Sequence, residues 1–91
     1  MFSVRDTATS ALRTLLIDQP TTAAKIAFAW RMAAGPTLGR AATTDWLEDG
    51  TLRVTARDAA WLREIRHARP MIRERLDHLL GPGVVRRLII Q

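Results

Sequence analysis

The stretch DWLEDGTLRVTARDAAWLREI, residues 45–65, decides the fold. Asp49-Gly50 lies between two strand-like runs, and Asp-Gly suits a tight hairpin because both central residues of such a turn must tolerate positive φ. The run that follows, Thr51 to Arg57, alternates. Leu52, Val54 and Ala56 point to one face, and Thr51, Arg53, Thr55 and Arg57 to the other. Asp58 then stands where a helix N-cap belongs, ahead of Ala59, Ala60, Trp61 and Leu62. The segment therefore encodes strand, turn, strand, cap and helix, with a basic strand face left to solvent or a partner.

Downstream, Trp61, Ile65, Ala68, Ile72, Leu76 and Leu79 fall on one face of a continuous helix. Pro70 interrupts it, since proline lacks the backbone donor and clashes with the preceding turn. The pattern predicts a break at His67-Ala68-Arg69-Pro70 and two helices, 59–67 and 70–80. Gly81-Pro82-Gly83 ends the second, and 84–90 reads as a final strand. Upstream, 38–47 reads as the first hairpin strand, with Gly39 marking a bulge or a close approach. Before it, Thr21 or Thr22 caps a helix whose stripe is Ile26, Ala29, Trp30 and Ala33, stopped by Gly35 and Pro36. A first helix, 4–17, starts at Ser3 and ends before Gln19-Pro20. The expected fold is α+β: one domain over 1–91, with an N-terminal helix in 1–20 and a 22–91 core whose helices pack on one face of a three-stranded mixed sheet.

Ninety-one residues support a single modest core and leave little room for an enclosed active site. With 47% hydrophobic and 25% charged residues the chain is globular in composition. Of its 14 basic residues 13 are Arg, and their placement is uneven. Residues 1–50 carry five basic and five acidic side chains, whereas 51–91 carry nine Arg against four acids, which accounts for the whole net charge of +5. An arginine-rich half points to a polyanion, since guanidinium forks match phosphate and stack on bases. The bland alternative is a solvated surface in an arginine-rich proteome.

Enzyme chemistry finds little to work with. His67 and His78 flank the predicted break at no metal-ligand spacing. Ser3 and Ser10 sit in no nucleophile elbow, cysteine and tyrosine are absent, and the Gly35–Gly39 segment has neither Walker spacing nor a Lys. Glu64, Glu74 and Asp77 read as helical partners of nearby Arg. No cofactor or metal is expected. No apolar run approaches the ~18 residues of a membrane span, and the N-terminus lacks the order of a signal peptide, so the expected location is the cytoplasm. Nucleic acid fits better. The candidate contacts are Arg40, Arg53 and Arg57 on and near the strand face, Arg63 and Arg66 on the first helix of the pair, and Arg69 and Arg73 at and beyond its break, with Arg75, Arg86 and Arg87 completing the basic half. Trp30 and Trp61 lie on apolar stripes and read as core. Trp46, beside the turn, is the freest of the three and reads equally as a partner contact or as the edge of the core.

In order along the chain, Trp30-Arg-Met-Ala-Ala-Gly35, Thr43-Thr44, Asp49-Gly50-Thr-Leu52-Arg-Val54, Asp58-Ala-Ala-Trp61-Leu62 and Leu79-Leu80-Gly81 resemble the DciA family, over about residues 10 to 90. The resemblance implies a KH-like domain of type II order, binding to DNA, and a role in loading or operating the bacterial replicative helicase. Two departures bear on mechanism. Where a working KH domain has a G-x-x-G loop, this chain has His67-Ala68-Arg69-Pro70, which removes the backbone clamp and leaves Arg66 and Arg69 to attract phosphate. Helicase-loading relatives also carry a flexible tail after the domain. Here the sequence stops at Gln91, right after the last strand; if such a tail is what grips the helicase, the expectation is a protein that binds DNA without loading the helicase, or one that uses another surface. Two other readings stand beside this one: a protein-interaction adaptor with incidental charge, and an RNA-binding KH-like protein. The strand Leu88-Ile89-Ile90, if left as an exposed edge, invites pairing or a homodimer.

Overall fold

The computed structural model describes residue 13 and residues 16–91. The expected helix over 4–17 lies largely outside the described residues; of it, Arg13, Leu16 and Ile17 are helical and Leu16 is buried. The elements that follow are α1 (Ala23–Arg40), β1 (Ala42–Trp46), β2 (Thr51–Ala56), α2 (Ala59–His67), α3 (Arg69–Leu80) and β3 (Arg87–Ile90). The sheet has the order β1-β2-β3, with β1 antiparallel and β3 parallel to the central β2. This is the α+β arrangement expected, with the helices on one face of a mixed three-stranded sheet.

Thr22 caps α1, its hydroxyl oxygen accepting from the Lys25 amide at 3.1 Å. The stripe Ile26, Ala29, Trp30 and Ala33 is fully buried. Gly35 breaks the helix at φ 88°, as its position and Pro36 predict, but the chain then resumes a helical path to Arg40. The strand expected from residue 38 therefore begins only at Ala42. Gly39 explains why: a Cβ there would stand 3.3 Å from the Arg31 Cα, so the turn beyond the kink folds back against the helix before it. Arg75 of α3 donates to the Ala33 carbonyl at 3.1 Å, placing a cation near the C-terminal end of the first half of α1, where the helix dipole favours one.

The hairpin closes through three loop residues rather than two. Leu47 N–H donates to Thr51 O, and Gly50 N–H donates to Leu47 O. Only Gly50 takes positive φ, 86°; Asp49 does not, which corrects the two-residue turn expected from Asp-Gly. Asp49 closes the loop with its side chain, accepting from the Thr51 amide at 3.0 Å. Thr51 hydrogen bonds hold the Asp49 carboxyl below its ordinary value of 3.8.

Asp58 caps α2 as expected, accepting from Trp61 N–H at 2.9 Å. The break falls where Pro70 predicts. Ala68 alone links the helices, in αR conformation, and Pro70 sits in the first turn of α3. Ile65, Ile72 and Leu76 join Leu52, Val54, Leu88 and Ile90 in the core. Burying one such side chain contributes ~1.5–3 kcal/mol, so this layer contact dominates the fold. Residues 84–86, expected as strand, are not. Gly50 O accepts from both Arg86 N (2.8 Å) and Arg87 N (3.3 Å), which turns the chain over the hairpin before β3 starts. β3 is paired with β2 on one side and forms an edge of the sheet on the other; its Leu88 and Ile90 side chains are buried in the core, and the Leu88 carbonyl accepts from Arg69.

Candidate nucleic-acid interface

The alternation of β2 works out as the sequence implies except at Thr51, which was expected on the solvent face and is buried beside the hairpin turn. Leu52 and Val54 are buried under the helices, while Arg53 and Thr55 lie on the helix-free face. The register sets Asp45 of β1 opposite Arg53, and the two pair at 3.4 Å with both side chains well exposed (58% and 40%). Such a pair contributes little to stability and leaves Arg53 available to a stronger anion. Thr43 and Thr55 face each other beside it, and Gln91 reaches Thr55. At the end of the sheet, Arg57 Nη2 donates to the Arg40 carbonyl at 3.0 Å, so these two arginines meet where α1 ends and β2 leaves the sheet.

The helical arginines form a second group. Arg63 and Arg66 lie one turn apart on α2, both exposed, with no hydrogen bond or ion pair among the described residues. Arg69 and Arg73 lie one turn apart on α3 and are both committed. Arg69 Nη2 donates to Leu88 O at 3.0 Å, and Arg73 Nη2 donates to Val85 O. Arg73 also sits 3.6 Å from Asp77, one helical turn on. A carbonyl orients a guanidinium without neutralising it, so these residues stay cationic with donors to spare. Glu64 and Glu74, expected to pair with neighbouring arginines, make no ion pair among the described residues; of the three acids named on these helices only Asp77 does.

The seven candidate arginines are thus not one cluster. Arg53 is on the helix-free face, Arg40 and Arg57 are at the sheet's end, and Arg63, Arg66, Arg69 and Arg73 are in the helical layer. What they share is a shortage of carboxylates: among the described residues the only ion pairs are Arg53–Asp45 and Arg73–Asp77.

One tryptophan departs from the role expected of it, and Trp46 takes the core-edge place of its two expected ones. Trp30 is core, 1% exposed, and its Nε1 has no partner among the described residues. Trp61 is half-buried and lies outside the core cluster, whereas Trp46 packs against that cluster. The reason is phase. The buried side of α2 is defined by Ile65, with Leu62 packed against the core, and Trp61 falls to its flank. Trp46, by contrast, is opposite buried Leu52 on the inner face of the sheet. It also walls a shallow depression of about 350 Å³ with Glu48, Asp49, Gly50, Val84 and Arg86. Reading the stripe from Ile65 outward rather than from Trp61 would have found this. No group of three or more metal-capable side chains gathers among the described residues, and none of their helices is long and apolar enough to cross a membrane.

No curated protein and no solved structure matches the chain. A family model does, over residues 3–90, which spans every element described above; it is the model of Dna[CI] antecedent, DciA. The match covers nearly the whole chain, and the chain therefore belongs to the DciA family.

Proposed function

We propose that this chain is a non-enzymatic DNA-binding module that assists the loading or operation of the replicative helicase. Membership of the DciA family supports involvement in helicase loading. The observation that carries the DNA-binding half is the uncompensated charge of the C-terminal half: nine arginines, with two carboxylate pairs among the described residues. The element order helix, two strands, two helices, strand is that of a type II KH domain, a fold that serves nucleic acids.

In this reading Arg63 and Arg66 make the freest phosphate contacts, because their guanidiniums have no competing partner among the described residues. Arg69 and Arg73 supply fixed positive charge at the point where a KH domain would have its glycine loop. The single-residue link through Ala68 exposes no glycine backbone there, so side chains take over the task. Arg40, Arg53 and Arg57 extend the positive field along the sheet. Trp61, flanking the core, is the aromatic side chain placed to stack on an unpaired base.

Fluorescence anisotropy with labelled single- and double-stranded DNA at two salt concentrations tests this. Affinity should fall with salt as counterions are released. No binding at low salt, or binding indifferent to salt, rejects a phosphate-led mode. Competition by RNA that matches or exceeds DNA would turn the reading to an RNA-binding protein. Recovery of the helicase from nuclease-treated lysate, with no affinity for DNA, would turn it to an adaptor.

A further inference from the structure

We propose that two copies of this chain pair along the outer edge of β1, antiparallel about a two-fold axis at Thr44. The two edges of the sheet are not alike. In β3 the residues bonded to β2 are Arg87, Ile89 and Gln91, as the bonds from Gln91 N to Val54 O and from Ala56 N to Gln91 O require. Leu88 and Ile90 therefore turn their backbone groups outward, and Arg69 occupies the Leu88 carbonyl. That edge is guarded by a helix-borne cation.

Among the described residues the β1 edge has no such guard. Leu47 N–H bonds to Thr51 O, and Arg57 N–H bonds to Ala41 O, which brackets the ladder. Hydrogen-bonded pairs alternate in an antiparallel ladder, so Thr43 and Asp45 bond to β2 and Ala42, Thr44 and Trp46 turn their N–H and C=O groups outward. None of these outward groups has a partner beyond the strand among the described residues. The strand contains no Lys, Arg or Pro, the usual devices against edge pairing. Its one charge, Asp45, faces Arg53 within the same sheet.

The occupant that fits is β1 itself. A two-fold axis at Thr44 sets Thr44 against Thr44 of the second copy, with both N–H groups donating across the axis. It sets Ala42 against Trp46 of the second copy, a small residue against a large one on the inner face. On the helix-free face it sets Thr43 against Asp45 of the second copy, a hydroxyl donor against a carboxylate. An axis at Asp45 would place two carboxylates opposite each other, and one at Thr43 would leave Trp46 without a counterpart. The register at Thr44 is thus the one that uses the whole strand and opposes no like charges.

This inference does not depend on DNA binding, and its test uses Thr43, exposed and outside the core. Sedimentation equilibrium on the full chain should detect a monomer–dimer equilibrium within roughly 1–100 µM. Thr43→Asp places a carboxylate opposite Asp45 of the second copy, twice per dimer, and should raise the dissociation constant about tenfold. Thr43→Lys places an ammonium there and should lower it about tenfold. In the wild type, amide exchange at Ala42, Thr44 and Trp46 should slow as concentration rises. A chain monomeric across that range overturns the proposal. So does a dimer whose stability shifts in the same direction with both substitutions, since its interface then lies elsewhere.

Discussion

Helices α2 and α3 carry the same residue in two different employments. On α2, Arg63 and Arg66 are exposed and make no hydrogen bond or ion pair among the described residues. On α3, Arg69, Arg73 and Arg75 each donate to a backbone carbonyl of another element: Leu88 in β3, Val85 just before it, and Ala33 at the kink of α1. One helix leaves its charge unengaged among the described residues. The other uses charge to tie the last strand and the first helix to the core, and keeps the positive field as a by-product. Counting arginines along the chain cannot separate these employments, because net charge is the same in both.

The largest expected effect comes from cutting the ties. Arg69→Ala with Arg73→Ala leaves two carbonyls near β3 unsatisfied, each hydrogen bond to a charged group being worth about 1.5–3 kcal/mol. Coupling between neighbours makes the double change less than additive, so roughly 2–4 kcal/mol of destabilisation is expected. In a domain this small that lowers Tm by about 8–32 °C, at about 4–8 °C per kcal/mol. Lysine at both positions keeps the charge but loses the fork, and should recover only part of the stability. Arg63→Ala with Arg66→Ala should stay within about 0.5 kcal/mol of wild type in the same melts. Equal losses in the two pairs would erase the distinction.

Gly50→Ala comes next and asks whether β3 is held from the hairpin side as well. Gly50 needs φ of 86°, and a Cβ there would stand 3.0 Å from Arg86 Cγ. Its carbonyl also receives Arg86 and Arg87. A cost of roughly 1–3 kcal/mol is expected in urea unfolding. A neutral result would leave α3 as the sole anchor of that strand.

Much of this was legible in the sequence. Pro70 predicts the division of the helix pair, Asp58 its cap, and the alternation of Thr51–Arg57 the two faces of β2. Those signals are local: a missing donor, a side-chain acceptor, a period of two. What was not legible depended on contacts far along the chain. The helical turn after Pro36 exists because Gly39 can approach Arg31, and nothing in the spacing of residues 38–47 encodes that approach. Val84 and Val85 have the composition of a strand, yet Gly50, more than thirty residues earlier, captures the amides of Arg86 and Arg87 and delays β3. The candidate site suffered most. An arginine bonded to a carbonyl 19 residues away, as Arg69 is, looks from sequence like one that is free.

The next two effects are smaller and divide function from scaffold. If Arg63 and Arg66 are phosphate contacts, their joint replacement by Ala should reduce the salt dependence of duplex binding, the slope of log K against log[salt], by about two. The replacement of Arg69 and Arg73 by Lys should change that slope little, since the charge count is kept. An unchanged slope in the Arg63 and Arg66 double variant would move the DNA contact off α2.

The smallest effect concerns the hairpin, which lies outside the arginine contrast and so serves as its control. The Asp49 carboxyl is held below 3.8 chiefly by the Thr51 hydroxyl and amide. A carboxylate whose value is depressed on folding stabilises the fold above its unfolded-state value, and that contribution disappears as pH falls through the depressed one. Carbon-detected NMR should therefore find the Asp49 midpoint below 3.8, and Thr51→Ser, which keeps the hydroxyl and the amide, should leave it there. The arginine ties of α3 carry no such signature, because guanidinium stays charged throughout this range. Mild acid should thus loosen the hairpin turn before it loosens the bonds from Arg69 and Arg73 to β3. Amide exchange at Thr51 rising ahead of exchange in β3 as pH falls, after correction for the intrinsic pH dependence of exchange, would distinguish a strand anchored from α3 from one anchored through the turn. Simultaneous loss would make the two anchors a single cooperative unit.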